Sequence, residues 1–131
     1  MTAPSLRRIL YVEDDPDIQS VAKLILESVG GFTVEACESG NRAVKVAPDF
    51  EPDLILLDVM MPGMDGPTTL KALRTLPQTA TTPVVFMTAK VQVHEVAQYK
   101  RLGAVDVIAK PFNPMSLSQL ICDIWLRYHQ T

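Results

Sequence analysis

Cysteine is scarce in this 131-residue chain: only Cys37 and Cys122 occur. Two such distant cysteines make neither a disulfide framework nor a metal-binding motif, which suits a reducing, cytosolic setting. Long apolar runs are also missing. Stretches such as Leu54-Ile55-Leu56-Leu57 fall far short of the roughly 20 residues that cross a bilayer. Arg7 and Arg8 precede an apolar segment, but Glu13, Asp14 and Asp15 cut it too early for a secretory signal. There is no surplus of positive charge either, with 12 Lys and Arg against 15 Asp and Glu and a net charge of -3. A chain that wraps a nucleic-acid backbone needs the opposite balance, so direct DNA binding is not expected. What the chain does have is 47% hydrophobic and 21% charged residues, enough apolar material for a core. The length fits a single domain over 1–131 with no output domain. Met1 and the polar end Tyr128-His129-Gln130-Thr131 read as natural termini.

Short apolar runs alternate with segments of helical period along the whole sequence. Leu6 to Val12 reads as a strand stopped by acids, and Asp15-Pro16 as a helix start with Asp15 as cap. Ile18, Val21, Ala22, Ile25 and Val29 fall on one helix face, ended by Gly30-Gly31. Phe32 to Cys37 is a second strand, followed by a short helix over Ser39 to Ala47 that Pro48 should close. Asp53 to Leu57 is a continuous apolar strand, as expected where both sheet faces are covered. The loop Met60 to Gly66 leads into a helix from Pro67 to Leu76. Pro83 to Met87 is the fourth strand, and a weaker helix from Val93 to Leu102 is capped by Gly103. Val105 to Ala109 is the fifth strand. Asn113-Pro114 opens the last helix, with Leu117, Leu120, Ile121, Ile124 and Tyr128 as its buried stripe and Trp125 beside it. Five strand–helix units in strict alternation predict an α/β fold, a parallel sheet with helices on both faces.

Ligands of such sheets sit beyond the carboxyl ends of the strands. There the first strand ends in Glu13 and Asp14, the third in Asp58, the fourth in Thr88 and the fifth in Lys110. Acids gathered at one rim repel, and a hard cation that prefers oxygen ligands relieves the repulsion. Mg²⁺ suits few carboxylates and phosphate oxygens. A carboxylate can attack phosphorus to give an acyl phosphate, aided by a lysine and a hydroxyl that neutralise and orient the transferring group. Asp58, alone on a central strand and facing the acids of its neighbour, is the candidate nucleophile. Met60, Met61 and Met64 read as gap-filling loop residues, His94 as a surface residue, and both cysteines as unreactive packing.

These pieces resemble the receiver domains of bacterial two-component response regulators, including stand-alone chemotaxis-type regulators. The resemblance is carried by Ile9 to Asp15, by Asp53 to Gly66, by Met87-Thr88-Ala89-Lys90, and by Gly103-Ala104 through Lys110-Pro111-Phe112. It implies a flavodoxin-like strand order, 2-1-3-4-5. It also implies that Asp58 is the phosphoacceptor and that Glu13 and Asp14 bind Mg²⁺ with Asp58 and the backbone carbonyl of Met60. Thr88 becomes the switch hydroxyl, Lys110 the phosphate-binding lysine, and Lys110-Pro111 a cis bond. Such a domain takes its phosphoryl group from a histidine kinase or phosphotransfer protein and signals by protein–protein contact. That contact is expected through the fourth helix, fifth strand and last helix, including Lys90, Tyr99, Arg101 and Trp125. One position departs from the pattern: Val107 stands where most of the family has Tyr or Phe.

Three other readings compete. A phosphorylation-independent interaction module would share the fold and fits Val107. A small haloacid-dehalogenase-type phosphatase would use Asp15-Pro16-Asp17, but Pro16 starts a helix and turns Asp17 into it. A flavodoxin-type flavin carrier needs a phosphate-binding loop after the first strand, where Glu13-Asp14-Asp15 would repel phosphate.

Overall fold

Five parallel strands form the centre of the computed structural model, which describes residues 4–130. The termini Met1 and Thr131, read above as natural ends, lie outside those residues. The strands are β1 (Arg8–Val12), β2 (Thr33–Cys37), β3 (Leu54–Asp58), β4 (Val84–Thr88) and β5 (Asp106–Ala109). The helices are α1 (Pro16–Ser28), α2 (Gly40–Phe50), α3 (Gly66–Arg74), α4 (Val93–Arg101) and α5 (Pro114–Tyr128). The sheet runs β2-β1-β3-β4-β5, all pairs parallel, as the resemblance implies. Its register places Tyr11 beside Leu56, Leu57 beside Phe86 and Phe86 beside Val107.

Alternation along the strands divides the apolar side chains into two cores. Ile9, Tyr11, Leu54, Leu56, Val85, Met87 and Ile108 pack with α1 and α5 through Ala22, Leu26, Leu117, Ile121 and Trp125. Leu10, Val12, Ile55, Leu57, Val84 and Phe86 pack on the other face with Ala43, Ala47, Leu70 and Leu73. β3 and β4 are buried at every position, which explains their unbroken apolar sequence.

The caps are the ones the residue types favour. The Asp15 side chain accepts from the Asp17 and Ile18 amides, Asp65 from Thr68, and Asn113 from Met115. After α1 the chain turns at Gly31, whose φ of 73° suits glycine. At the start of α3, Gly66 passes so close to β3 that a Cβ would meet the Asp58 carbonyl oxygen at 2.7 Å.

Several sequence expectations are corrected. Pro48 does not close α2, which continues to Phe50 and ends at Glu51 in a left-handed conformation. Proline removes only one amide donor near the end of a helix, and Ala47 still receives the Glu51 amide. The buried side of α1 is centred on Ala22 and Leu26, leaving Val21 and Val29 exposed. In α5, Leu120 and Tyr128 are exposed, while Ser118 and Trp125 are buried with Leu117, Ile121 and Ile124. Apolar spacing finds a helix face, but the neighbours decide where its centre lies.

Candidate functional site

Each acid at the rim is set there by the strand it ends. β1 delivers Glu13 and Asp14 directly after Val12, and β3 delivers Asp58 as its last residue. Asp58 lies on the same sheet face as Leu56 and Leu54, and Glu13 on the same face as Tyr11 and Ile9. Neighbouring strands thus bring Glu13, Asp14 and Asp58 together, with one carboxylate oxygen from each within 4.8 Å of the others. Glu13 and Asp58 are 1% and 3% exposed, whereas Asp14 is exposed. The trio opens into a cavity of about 300 Å³ that Met60, Thr88 and Lys110 also line.

Lys110 reaches into this group from beyond β5. Its Nζ donates to Glu13 Oε1 at 2.7 Å and lies 3.4 Å from Asp58 Oδ2. Burial, with hydrogen bonding and charge from Glu13, pushes the Asp58 carboxyl up to about 7, against the pull of Lys110. Burial alone would lower the Lys110 ammonium, but its bonds to Glu13 and the charges of Asp58 and Glu13 outweigh that and raise it. One cation therefore serves two buried acids, and the site is short of positive charge. Oxygen-only donors in such a deficit fit a small hard cation.

Thr88 is buried, and its Oγ1 accepts from the Lys90 amide at 3.1 Å. That bond leaves the hydroxyl proton free to donate. Met60 borders the cavity with its side chain 65% exposed. The Lys110–Pro111 bond is cis. All six sequence-predicted site residues thus meet at one opening.

Residues that the sequence reading passed over hold Glu13 in place. Gln19 Nε2 donates to the Glu13 backbone carbonyl at 3.0 Å, and the Asp15 amide donates to Glu13 Oε2 at 3.3 Å. The signal for Gln19 was a polar residue one helical turn after the Asp15 cap, on the side of α1 that faces the strand ends.

Other expectations sort differently. Burial, with charge from Glu35 and Glu38, pushes the Cys37 thiol up to about 11, and burial also raises Cys122, in keeping with packing roles. Trp125 does not face outward with Lys90 and Arg101. It is buried, and its Nε1 donates to the Pro4 carbonyl. Val107 is half-buried beside Phe86, whose ring meets Tyr99 of α4 edge-on at 5.5 Å. Asp15 uses its carboxylate as a helix cap, and Asp17 lines a separate hollow, so the two do not form a phosphatase-type pair.

A family model described as the response regulator receiver domain matches residues 9–122. The transcriptional regulatory protein CpxR of Escherichia coli K12 is 41% identical over 124 residues, covering 95% of this chain and 51% of that protein. The DNA-binding response regulator MtrA of Mycolicibacterium smegmatis is 35% identical over 111 residues, 85% of this chain and 47% of that protein. The chain spans about half the length of the curated relatives it matches. Among solved structures, the chemotaxis protein CheY4 of Vibrio cholerae superposes with a TM-score of 0.83 at 29% identity, covering 92% of this chain and 99% of that one. Motif, topology and relatives agree, and the chain belongs to the response regulator receiver domain family of two-component signalling.

Proposed function

We propose that Asp58 accepts the phosphoryl group and that Glu13, Asp14, Asp58 and the Met60 backbone carbonyl hold Mg²⁺ beside it. The observation that carries this reading is the convergence of Asp58 with two further acids and one lysine at a single cavity. An Asp58 carboxylate oxygen attacks the phosphorus of a phosphohistidine, the phosphorus–nitrogen bond breaks, and the imidazole keeps the electron pair. Mg²⁺, when bound, supplies charge neutralisation for the phosphoryl oxygens. Lys110 pairs with the same group from the β5 side, and the Thr88 hydroxyl donates to it. Asp58 must be ionised to attack, and cation binding at the trio lowers its affinity for a proton.

The donor is a histidine kinase or a histidine phosphotransfer protein, and the resulting acyl phosphate is hydrolysed in place, so no metabolite is turned over. An apolar hollow of about 300 Å³ beside the site, between Ile18 and Val21 of α1 and Phe112 and Pro114, offers such a donor a seat. Output passes to another protein through α4, β5 and α5, where Lys90 and Arg101 are exposed. The names CpxR and MtrA attach transcriptional regulation and DNA binding to proteins twice the matched length. This chain is read as matching their receiver part, one receiver domain over 1–131, acting in the cytosol. Among the described residues, no helix is long and apolar enough to cross a membrane.

Asp58→Asn keeps the shape and removes the attacking oxyanion. Labelling by acetyl phosphate in Mg²⁺ is expected to vanish in that variant. Retained labelling would overturn the assignment, and an interaction module independent of phosphorylation would then be the better reading.

A further inference from the structure

Tyr11 lies within β1, wholly buried, and its hydroxyl has no hydrogen-bond partner. Among the described residues two other buried side-chain atoms share that condition, Ser118 Oγ near Gly30 and His129 Nε2 at the end of α5, but neither is on the strands that carry the acids. Tyr11 is different in position. It stands two residues before Glu13 on the same face of the strand, and its β3 neighbour Leu56 stands two residues before Asp58. Burial raises its phenol above the ordinary range, the charges of Glu13, Asp58 and Asp15 raise it further, and so does the approach of its hydroxyl to the Glu13 carboxylate. The hydroxyl thus approaches the acids without a full hydrogen bond to them, and a phenol hydroxyl is an uncharged donor.

A buried hydroxyl left unpaired is costly, so its presence in an otherwise apolar strand calls for a reason. In the resting arrangement Lys110 satisfies Glu13 Oε1 at 2.7 Å, and Glu13 has no need of Tyr11. A divalent cation at the trio would repel that ammonium, and a phosphoryl group on Asp58 would attract it. The buried Glu13 would then lose the Lys110 bond at Oε1. A neutral donor can bond the carboxylate without repelling the metal, and Tyr11 is the unpartnered donor at hand.

We infer that Tyr11 is a positioning residue whose hydroxyl donates to the Glu13 carboxylate when Lys110 leaves it for the phosphoryl group. The inference rests on the Asp58 site proposed above. It gives the strand that carries the acids two alternative bonding states, one through Lys110 and one through Tyr11.

Beryllofluoride, a phosphoryl mimic, allows both states to be compared at equilibrium. Proton NMR of the wild-type protein should show a slowly exchanging tyrosine hydroxyl signal with Mg²⁺ and beryllofluoride that is absent without them. Tyr11→Phe should lack that signal, bind Mg²⁺ with beryllofluoride roughly tenfold more weakly, and melt in the metal-free state no lower than wild type. A hydroxyl signal already present in the metal-free protein would overturn the inference, as would unchanged Mg²⁺ and beryllofluoride binding in Tyr11→Phe. Should Tyr11→Phe fail to fold, the wild-type signal alone decides. If wild type takes up no beryllofluoride at all, the Asp58 reading falls and this inference with it.

Discussion

Asp58 and Glu13 show how strongly burial alters single residues that look ordinary in a sequence. Each is an acid following an apolar run, yet together they share one lysine and hold the Asp58 carboxyl near neutrality. The same scale governs the lifetime of the acyl phosphate. Hydrolysis needs a water in line with the breaking bond, on the side away from the Asp58 oxygen. Met60 borders the cavity and cannot orient water by hydrogen bonding. Lys90 is exposed next to the site, tied to it by its backbone N–H donating to Thr88 Oγ1, and its ammonium can donate but not accept a proton. A long-lived phosphorylated form is therefore expected. Phosphate release from Met60→Asn and from Lys90→Glu should be faster than from wild type, and acceleration in neither would contradict this account. Glu13, Asp14, Asp58, Thr88 and Lys110 were all legible as strand endings, because the carboxyl edge of a parallel sheet gathers whatever follows its strands. Gln19 and Tyr11 were not, because their importance depends on contacts across elements.

Among the helices, α4 is the least anchored. None of its residues is fully buried, whereas α5 buries Leu117, Ser118, Ile121, Ile124 and Trp125. Its main hold on the sheet is Tyr99 against Phe86, over a β5 position where Val107 supplies little bulk. Elements with few buried apolar contacts open most readily. Amide hydrogen exchange should accordingly be faster in Val93–Arg101 than in Pro114–Tyr128, and faster still in α4 after Tyr99→Ala. Equal protection of the two helices would show that α4 is held by contacts other than these. Helical period alone indicated that α4 was weak, since its apolar residues are few. The misjudged stripes of α1 and α5 mark the limit of that method. A stripe drawn from apolar spacing treats all directions around it alike, while the sheet lies on one side only, which buries Ala22 and Trp125 and exposes Val21 and Leu120.

For the molecule as a whole, the strained acid pair links folding to pH and to metal. An aspartate in an unfolded chain titrates near about 3.9, but folding moves Asp58 up to about 7. The folded state therefore holds that proton more tightly, so this contribution favours folding at low pH and is lost as pH rises through about 7. The raised Lys110 ammonium acts in a different window: its contribution persists below the ordinary lysine range and is lost only above it. In the metal-free protein the melting temperature should thus fall from about pH 4 to about pH 7 more steeply in wild type than in Asp58→Asn, whose residue 58 does not titrate. Added Mg²⁺ should raise the wild-type melting temperature most at the upper end of that range, because it binds the ionised acids of the native state alone. Parallel melting curves for the two proteins would remove Asp58 as the source.

The amino-acid sequence by itself determined the alternation of strands and helices, the caps at Asp15 and Asn113, and the rim on which Glu13, Asp58, Thr88 and Lys110 fall. These depend on local period and on residue types at chain turns, which neighbours in sequence settle. Tertiary structure decided the rest. It let α2 run through Pro48, since only one hydrogen bond was lost there and the packing of Ala43 and Ala47 was kept. It turned Trp125 inward onto the Pro4 carbonyl. It also set Lys110 between two acids distant from it and from each other in sequence, leaving the Tyr11 hydroxyl beside them without a bond. Charge and hydrogen bonding across strands depend on distances of a few ångströms, and only the packed sheet fixes those.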